Sequence, residues 1–523
     1  MSDVAMPAAG SSSAASPARL QGGALALLTV GLALGTFMEV LDTSIANVAV
    51  PTIAGSLGVS NSEGTWVISS YAVAAAIAVP LTGWLARRVG EVKLFVSAVA
   101  LFTMASMLCG LAPNMQTLVA FRLLQGLVSG PMVPLSQTIL LRSFPEDKRG
   151  LALGLWAMTV IVAPIFGPVV GGWITDNYTW PWIFYINVPV GIFSFGTCLV
   201  LLRGQETKTE RLPIDLIGMA LLAVGVGALQ MMLDNGKDHD WFNSTFIVVL
   251  AVTSVICLSV LLIWELTSDK PVVDLTLFKD RNFALGVIVT SFGYMTFFAS
   301  VVIFPLWLQT VMEYTAGQAG LATAPVGLLA LILAPIVGKN MERLELRAVA
   351  SFAFVVFAVV SFWNSGFALN MTFDQVIMPR LVQGIGIACF FVPMTTITLS
   401  SIDDNHLAAA AGLSNFFRVL SGAIGTAVST TLWDDRAIYH HARLIESINV
   451  YSQQTNAFLD TLQHRLGLAG GQDIGLLNQL VTQHAYMLAT NDIFHISGYV
   501  FVLLAMLVWV TKPKKGAKPA MGH

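Results

Sequence analysis

Charge is scarce in this sequence. Only 11% of its 523 residues are Asp, Glu, Lys or Arg, against about a quarter in a soluble domain. A soluble chain of this length could not cover its surface with so few charges. Cysteine is scarce too. Cys109, Cys198, Cys257 and Cys389 all fall inside apolar runs, and none forms a C-x-x-C pair. That argues against a disulfide framework and against a thiolate metal site. There is no G-x-x-x-x-G-K-[ST] loop, so ATP is not the expected energy source. No nucleophile elbow, kinase signature or metal-ligand cluster is present either. The sequence points to no enzyme, no cofactor and no nucleic-acid partner. Of the histidines, only His495 lies well inside an apolar run, where packing is the simpler role.

Apolar residues are abundant, at 55% of the chain. They fall into fourteen runs, at 24–50, 65–85, 93–112, 116–141, 151–174, 182–202, 214–233, 243–264, 283–309, 317–338, 348–364, 374–400, 406–433 and 489–511. Each is near the ~20 residues that a helix needs to cross a bilayer. Backbone groups in lipid must be satisfied within their own segment, so these runs are expected to be helices. Residues 1–23 are rich in Ala, Ser and Pro and read as a cytoplasmic tail. The first run is too long for a cleaved signal and contains Glu39 and Asp42.

Basic residues set the orientation. With the N-terminus in the cytoplasm, 20 of the 27 Lys and Arg fall in cytoplasmic tails and loops. Four (Lys237, Arg436, Arg443, Arg465) fall outside, and three (Arg122, Arg380, Arg418) fall within helices. Short cytoplasmic loops carry such an excess. An odd number of helices would destroy the alternation. Fourteen helices with both termini inside is the arrangement that fits.

The chain repeats itself. FRLLQG at 121–126 resembles PRLVQG at 379–384, which pairs Arg122, Gln125 and Gly126 with Arg380, Gln383 and Gly384 at an offset of 258. Gly154-Leu155 and Gly412-Leu413 keep that offset, as do Gly167 and Gly425. GWLARR at 83–88 aligns with GKNMER at 338–343 at an offset of 255. The expected layout is two six-helix halves, 24–203 and 283–511, joined by a linker at 204–282 that holds two inserted helices. The second half contains an external loop at 434–488, and a basic tail follows at 512–523. Parallel six-helix repeats of this kind build the major facilitator fold, with the substrate cavity between the halves.

Charges within the membrane need a reason, since one at the bilayer centre costs at least ~2.5 kcal/mol. Glu39 and Asp42 lie three residues apart on one helix face and can share a proton or a cation. Arg122, seven residues into its helix, cannot snorkel and stays charged. It can couple a carboxylate's protonation to conformation, or clamp the backbone of the first helix. Arg380, its repeat partner, reads as structural. Arg418 reads equally as a counter-charge or as a cavity residue.

Five strings then stand in order: LDTSIANVAVP (41–51), LVAFRLLQGLVSG (118–130), APIFGPVVGG (163–172), WPWIFYINVPVG (180–191) and PVVDLTLFKDRNF (271–283). They resemble the motifs of the 14-helix drug:proton antiporters of the major facilitator superfamily, and most of all the EmrB-type multidrug exporters. The departures are small: Thr43-Ser44 in the first string, Ala163 for a Gly and Pro181 for an Arg. The resemblance covers nearly the whole chain apart from its tails. It implies a proton-driven exporter of lipophilic drugs in the bacterial inner membrane. It also implies two protein partners, a periplasmic membrane-fusion adaptor (EmrA-like) and an outer-membrane channel (TolC-like). An exporter of an endogenous metabolite or siderophore on the same fold is the alternative.

The resemblance also assigns roles. Asp42, Glu39 and Arg122 would couple protons. Arg418, Gln125, Pro164, Gly167, Pro168, Gly171 and Arg380 would line the cavity or govern its movement. The small residues of GP-x-x-GG allow close helix approach, with a flexible point at Pro168. The loop after the second helix departs from the family pattern G-x-L-x-D-R-x-G-R-[RK], because GWLARRVGEV has Arg87 for the Asp and Glu91 for an Arg. The loop Ser401–His406 carries Asp403 and Asp404 and no basic Lys or Arg. A cytoplasmic lock of reversed sign is therefore expected, with Arg87 or Arg88 facing Asp403 or Asp404. The external loop has amphipathic stretches around 438–448, 458–466 and 474–481, which suit the membrane surface and lipid contact ahead of adaptor docking.

Overall fold

A computed structural model describes residues 22–512, apart from 146–147, 211–214, 269–270, 272, 341–342, 404–405, 447, 449–451 and 467–471. Among the described residues every regular element is helical. Thirteen helices among the described residues are long and apolar enough to cross a membrane, and a bent pair, Arg149–Pro164 with Val169–Asn177, makes the fourteenth. In chain order the spans are Gly23–Leu57, Trp66–Val89, Glu91–Gly110, Met115–Ser143, Arg149–Asn177, Trp182–Leu201, Leu216–Asn235, Thr245–Thr267, Arg281–Thr310, Gly317–Lys339, Leu346–Asn364, Phe373–Leu399, Leu407–Glu446 and Gln472–Val510. They are numbered one to fourteen below.

The two halves repeat the same packing. Span one packs on five and six, two on four, and three on four and six. Span nine packs on thirteen and fourteen, ten on twelve, and eleven on twelve and fourteen. Adding eight to each number of the first set gives the second. Spans seven and eight form a hairpin that leans on spans two and thirteen. Lys237 reaches Asp434 at 2.9 Å, and the Trp241 indole donates to the Thr431 hydroxyl at 2.8 Å, which fixes the outer end of this hairpin.

The halves meet through spans five with ten and two with thirteen, a pairing that is its own mirror under the repeat. Glycine makes the approach possible. A Cβ on Gly83 would lie 2.5 Å from the Ala409 Cα, and one on Gly412 would lie 3.2 Å from the Thr82 Cβ. Across the other seam, Gly154 faces the Ala334 carbonyl, and Gly338 faces the Gly150 carbonyl. These are the four glycines that the repeat aligns at offsets of 255 and 258. All four contacts lie at the ends that carry the basic loops. The structure therefore holds that end of the bundle closed.

The external region differs from expectation in one respect. Span thirteen does not stop near 433 but continues to Glu446, and span fourteen begins at Gln472 rather than near 489. A further helix, Gln453–Leu466, lies between them. The stretch expected as a loop is largely helical because its amphipathic segments prolong the spans that flank it. Arg436 and His440 on span thirteen both bind the Asp492 carboxylate of span fourteen, at 2.5 and 2.8 Å, and tie the two extensions together.

Candidate functional site

Helix one carries the two carboxylates, and helix five decides where they stand. Pro168 lacks an N–H, so the Pro164 carbonyl one turn earlier has no partner within its own helix. The Ser44 hydroxyl of span one donates to that carbonyl at 3.1 Å. One turn on, a side chain at Gly167 would overlap Ser44, and a Cβ at Gly171 would lie 3.3 Å from the Ile45 Cα. The GP-x-x-GG run thus seats span one by its backbone, two residues from Asp42. The side chain of Pro168 lies outside the described residues.

Asp42 and Arg122 form an ion pair at 2.6 Å, with side chains 1% and 0% exposed. The carboxylate accepts from two more donors, the Asn187 amide at 2.7 Å and the Gln125 amide at 3.2 Å. Arg122 also donates to the Val67 carbonyl at 2.9 Å and to the Gln125 amide oxygen at 2.9 Å. Its guanidinium lies over the Tyr71 and Phe184 rings, 4.5 and 5.4 Å from their centroids. Spans one, two, four and six therefore converge on one buried charge pair. Such a pair is stable only while its remaining lone pairs and N–H groups are satisfied, and here nearly all are. The Arg122 Nη2 alone has no partner among the described residues.

Glu39 lies one turn closer to the basic end on the same helix and is half-buried. Its Oε2 is enclosed, with no hydrogen-bond partner among the described residues. Glu39 is within electrostatic reach of Asp42 and of Arg418, which belongs to the other half. Arg418 lies between the Trp156 ring of the first half and the Tyr294 ring of the second, at 5.9 and 5.4 Å. A cavity of about 20 Å³ between the halves is lined by Gln137, Trp156, Tyr294, Phe390, Asn415 and Arg418. That is room for little more than one water molecule.

Arg380 occupies the place of Arg122 in the second half and has no ion-pair partner among the described residues. It is 2% exposed, donates to Gln383 at 2.6 Å and lies over the Phe304 ring at 3.6 Å. Its Nε and Nη2 have no partner among the described residues.

At the basic end, the expected contact between Arg87 and Asp403 is not formed. Among the described residues neither takes part in an ion pair, and Asp403 is exposed in the turn before span thirteen, its carbonyl accepting from His406. Asp404 lies outside the described residues. Arg88 lies over the Trp84 ring at 5.2 Å. The seam at this point is made by Gly83 against the backbone of Ala409. The acidic residue that is paired here is Glu91, held by Arg142 at 3.0 Å within the first half.

Asn187, Trp156, Tyr294 and the Glu91–Arg142 pair were not singled out from sequence. Asn187 carried a signal: it is a polar residue inside an apolar run and sits in the INVP string. The aromatic residues carried none, because Phe, Trp and Tyr are spread along most spans.

Two repeated six-helix bundles with a buried charge pair inside one of them define a secondary transporter that spans the membrane many times. A family model of the Major Facilitator Superfamily matches residues 32–426. The chain belongs to that superfamily and, within it, to the EmrB-type efflux transporters, which are multi-pass proteins of the inner membrane. It is 49% identical to the multidrug export protein EmrB of Escherichia coli, over 95% of this chain and 97% of that one. It is likewise 49% identical to the fatty acid resistance protein FarB of Neisseria gonorrhoeae, over 94% and 97%. The fold is shared with the proton:xylose symporter XylE, with a TM-score of 0.57 at 14% identity, covering 93% of this chain and 95% of that one.

Proposed function

We propose that this protein is a proton-coupled antiporter that exports lipophilic drugs and other toxic compounds. In this reading it works with a periplasmic membrane-fusion adaptor and an outer-membrane channel. The single observation that carries the proposal is the sealed Asp42–Arg122 pair. Protonating Asp42 removes the partner of a buried guanidinium, and removing one partner from a buried pair costs about 3–5 kcal/mol. The four helices that meet at the pair must then rearrange. Span one is among them and is keyed to span five, which forms one seam between the halves. A proton at Asp42 can in this way loosen or tighten the seam.

Glu39, between Asp42 and Arg418, is the route by which a proton or a counter-charge reaches the pair. Arg418 with its two aromatic neighbours offers a cationic and adaptable wall to the cavity. The halves 24–203 and 283–511 are the bodies that rock against one another. The drug class rests on the relatives, whose names include multidrug export proteins and the colistin resistance protein EmrB of Acinetobacter baumannii, 28% identical over 92% of this chain and 95% of that one. The adaptor and channel rest on the family resemblance.

The test uses proteoliposomes with an imposed pH gradient and a fluorescent lipophilic dye. Wild-type protein should drive dye movement that collapses with the gradient. Asp42→Asn should fold and bind dye yet show no gradient-driven movement. Wild-type movement by Asp42→Asn would overturn the coupling role.

A further inference from the structure

On the lipid side of the second half, spans eleven and fourteen leave a groove of about 360 Å³ between them. Its walls are Ser351, Val355, Val359 and Phe362 on one helix and Val502 and Met506 on the other. Ser351 and Phe362 are eleven residues apart, so the groove runs about 16 Å along the helix axis at 1.5 Å per residue. It is a slot with its long axis across the membrane, not a round pocket. Its polar groups lie at one end. The Ser351 hydroxyl donates inward to the Ala505 carbonyl at 2.8 Å, and the Trp509 indole donates to Ser351 at 3.3 Å. Beyond them the lining is apolar.

The end capped by Trp509 is also where cations gather. Arg347 lies over the Trp509 ring at 5.5 Å and reaches the Thr511 carbonyl at 3.5 Å. Arg281 donates to the Val510 carbonyl at 2.9 Å. Lys512 follows, held by Asn282 through two backbone hydrogen bonds of 2.9 Å. Two acids face the same corner. Glu345 pairs with Arg347 at 2.8 Å, and Asp280 accepts from the Phe283 N–H and the Ser401 hydroxyl. The three cations exceed these two acids, and Lys514, Lys515 and Lys518 of the tail follow directly in the sequence. This mouth faces the leaflet on the basic side, where anionic lipids are concentrated, and basic pockets between helices on that side bind anionic headgroups. Trp is at home at this depth.

We infer that the groove between spans eleven and fourteen is a binding site for one anionic phospholipid, its phosphate at Arg281, Arg347 and Lys512 and one acyl chain along Val355, Val359 and Phe362. Charge complementarity at the mouth selects the lipid, and the apolar slot accepts its chain. The site lies on the outer face of the second half, remote from the Asp42–Arg122 pair, and does not depend on what the protein transports.

Native mass spectrometry of the full-length protein in detergent tests the assignment. Phosphatidylglycerol and phosphatidylcholine with identical chains are offered in equal amounts. Wild-type protein should retain phosphatidylglycerol over phosphatidylcholine by about tenfold, as expected for two juxtamembrane arginines partly offset by acids. The double variant Arg281→Gln/Arg347→Gln should retain both lipids equally. Arg281→Lys/Arg347→Lys keeps the charge and should keep the preference, which separates loss of charge from loss of fold. Val355→Trp, at a position 47% exposed, fills the slot from outside and should lower retention of both lipids. Equal retention of both lipids by wild-type protein would overturn the site. So would a preference that survives the double glutamine variant.

Discussion

Arg122 and Arg380 stand at the same place in two copies of one bundle, and the largest difference in their surroundings is one carboxylate. Arg122 faces Asp42. Counting the offset of 258 from Asp42 reaches Ser300, which is buried and uncharged. The second half has kept the arginine and its glutamine and holds the cation by the face of Phe304 instead. Evolution of a repeat from one ancestor explains why the cation is there twice. Physics explains why only one copy can respond to a proton. A guanidinium does not titrate in the physiological range, so a switch needs the carboxylate. On the proposed reading the first half holds the switch, and the second half is the counterpart that moves.

Five variants at four places break or sharpen this comparison, in falling order of effect. Arg122→Ala strands a buried carboxylate and should lower stability by ~3–5 kcal/mol, read as a fall in detergent melting temperature, with gradient-driven efflux lost. Arg122→Lys should also impair efflux, since it lacks the planar fork that serves Val67, Asp42 and Gln125 together. Normal efflux by either variant would sink the switch.

The seam between the halves comes next. An ideal Cβ on Gly412 falls 3.2 Å from the Thr82 Cβ, close to disulfide geometry. The pair Thr82→Cys/Gly412→Cys, in a background lacking the four native cysteines, should cross-link on oxidation and arrest efflux by at least ~10-fold, with recovery on reduction. Efflux that continues in the cross-linked protein would mean that this end need not open.

Arg380→Met should matter far less than any change at Arg122. It removes a buried cation with two nitrogens that have no partner among the described residues and replaces it with an apolar chain of similar length. Such replacements are often neutral or stabilising, so stability should shift by no more than ~1 kcal/mol and efflux should stay within about threefold. Abolished efflux in a well-folded Arg380→Met protein would place a second coupling site in the second half. The smallest effect is expected at Glu91. Glu91 is 6% exposed, but its partner Arg142 is 27% exposed, so water reaches the guanidinium and screens the pair; a screened pair of this kind contributes ~0.2–1 kcal/mol. Glu91→Gln should therefore cost less than ~1 kcal/mol in a melt. A larger loss would mean that this pair, and not the glycine seam, governs the basic end.

Much of the site was legible in the sequence because its residues are exceptions to their surroundings. Asp42, Glu39, Arg122 and Arg380 stand out as charges in apolar helices, and the GP-x-x-GG run stands out as small residues where bulk is usual. The repeat offsets even carried the four seam glycines, although their contacts were not foreseen. Of the reversed-sign lock, the contact between Arg87 and Asp403 is not made among the described residues, and Asp404 lies outside them; loop charges do not reveal the distance between the helices that follow them. At Gly83 and Ala409 that distance is set by backbone contact.

The sequence alone determined the number of spans, the repeat of the two halves and the charges of the Asp42–Arg122 site, and it set the expectation for the orientation. Each of these follows from composition and periodicity, which act locally along the chain. Only the tertiary structure decided which charges meet. It alone put Asn187 and Gln125 on Asp42, gave Arg380 a ring in place of an acid, and closed the basic end on four glycines. Those outcomes depend on how helices distant in sequence rotate and approach one another. A pattern along one helix shows which face is unusual, but the partner of that face is fixed only when the helices pack.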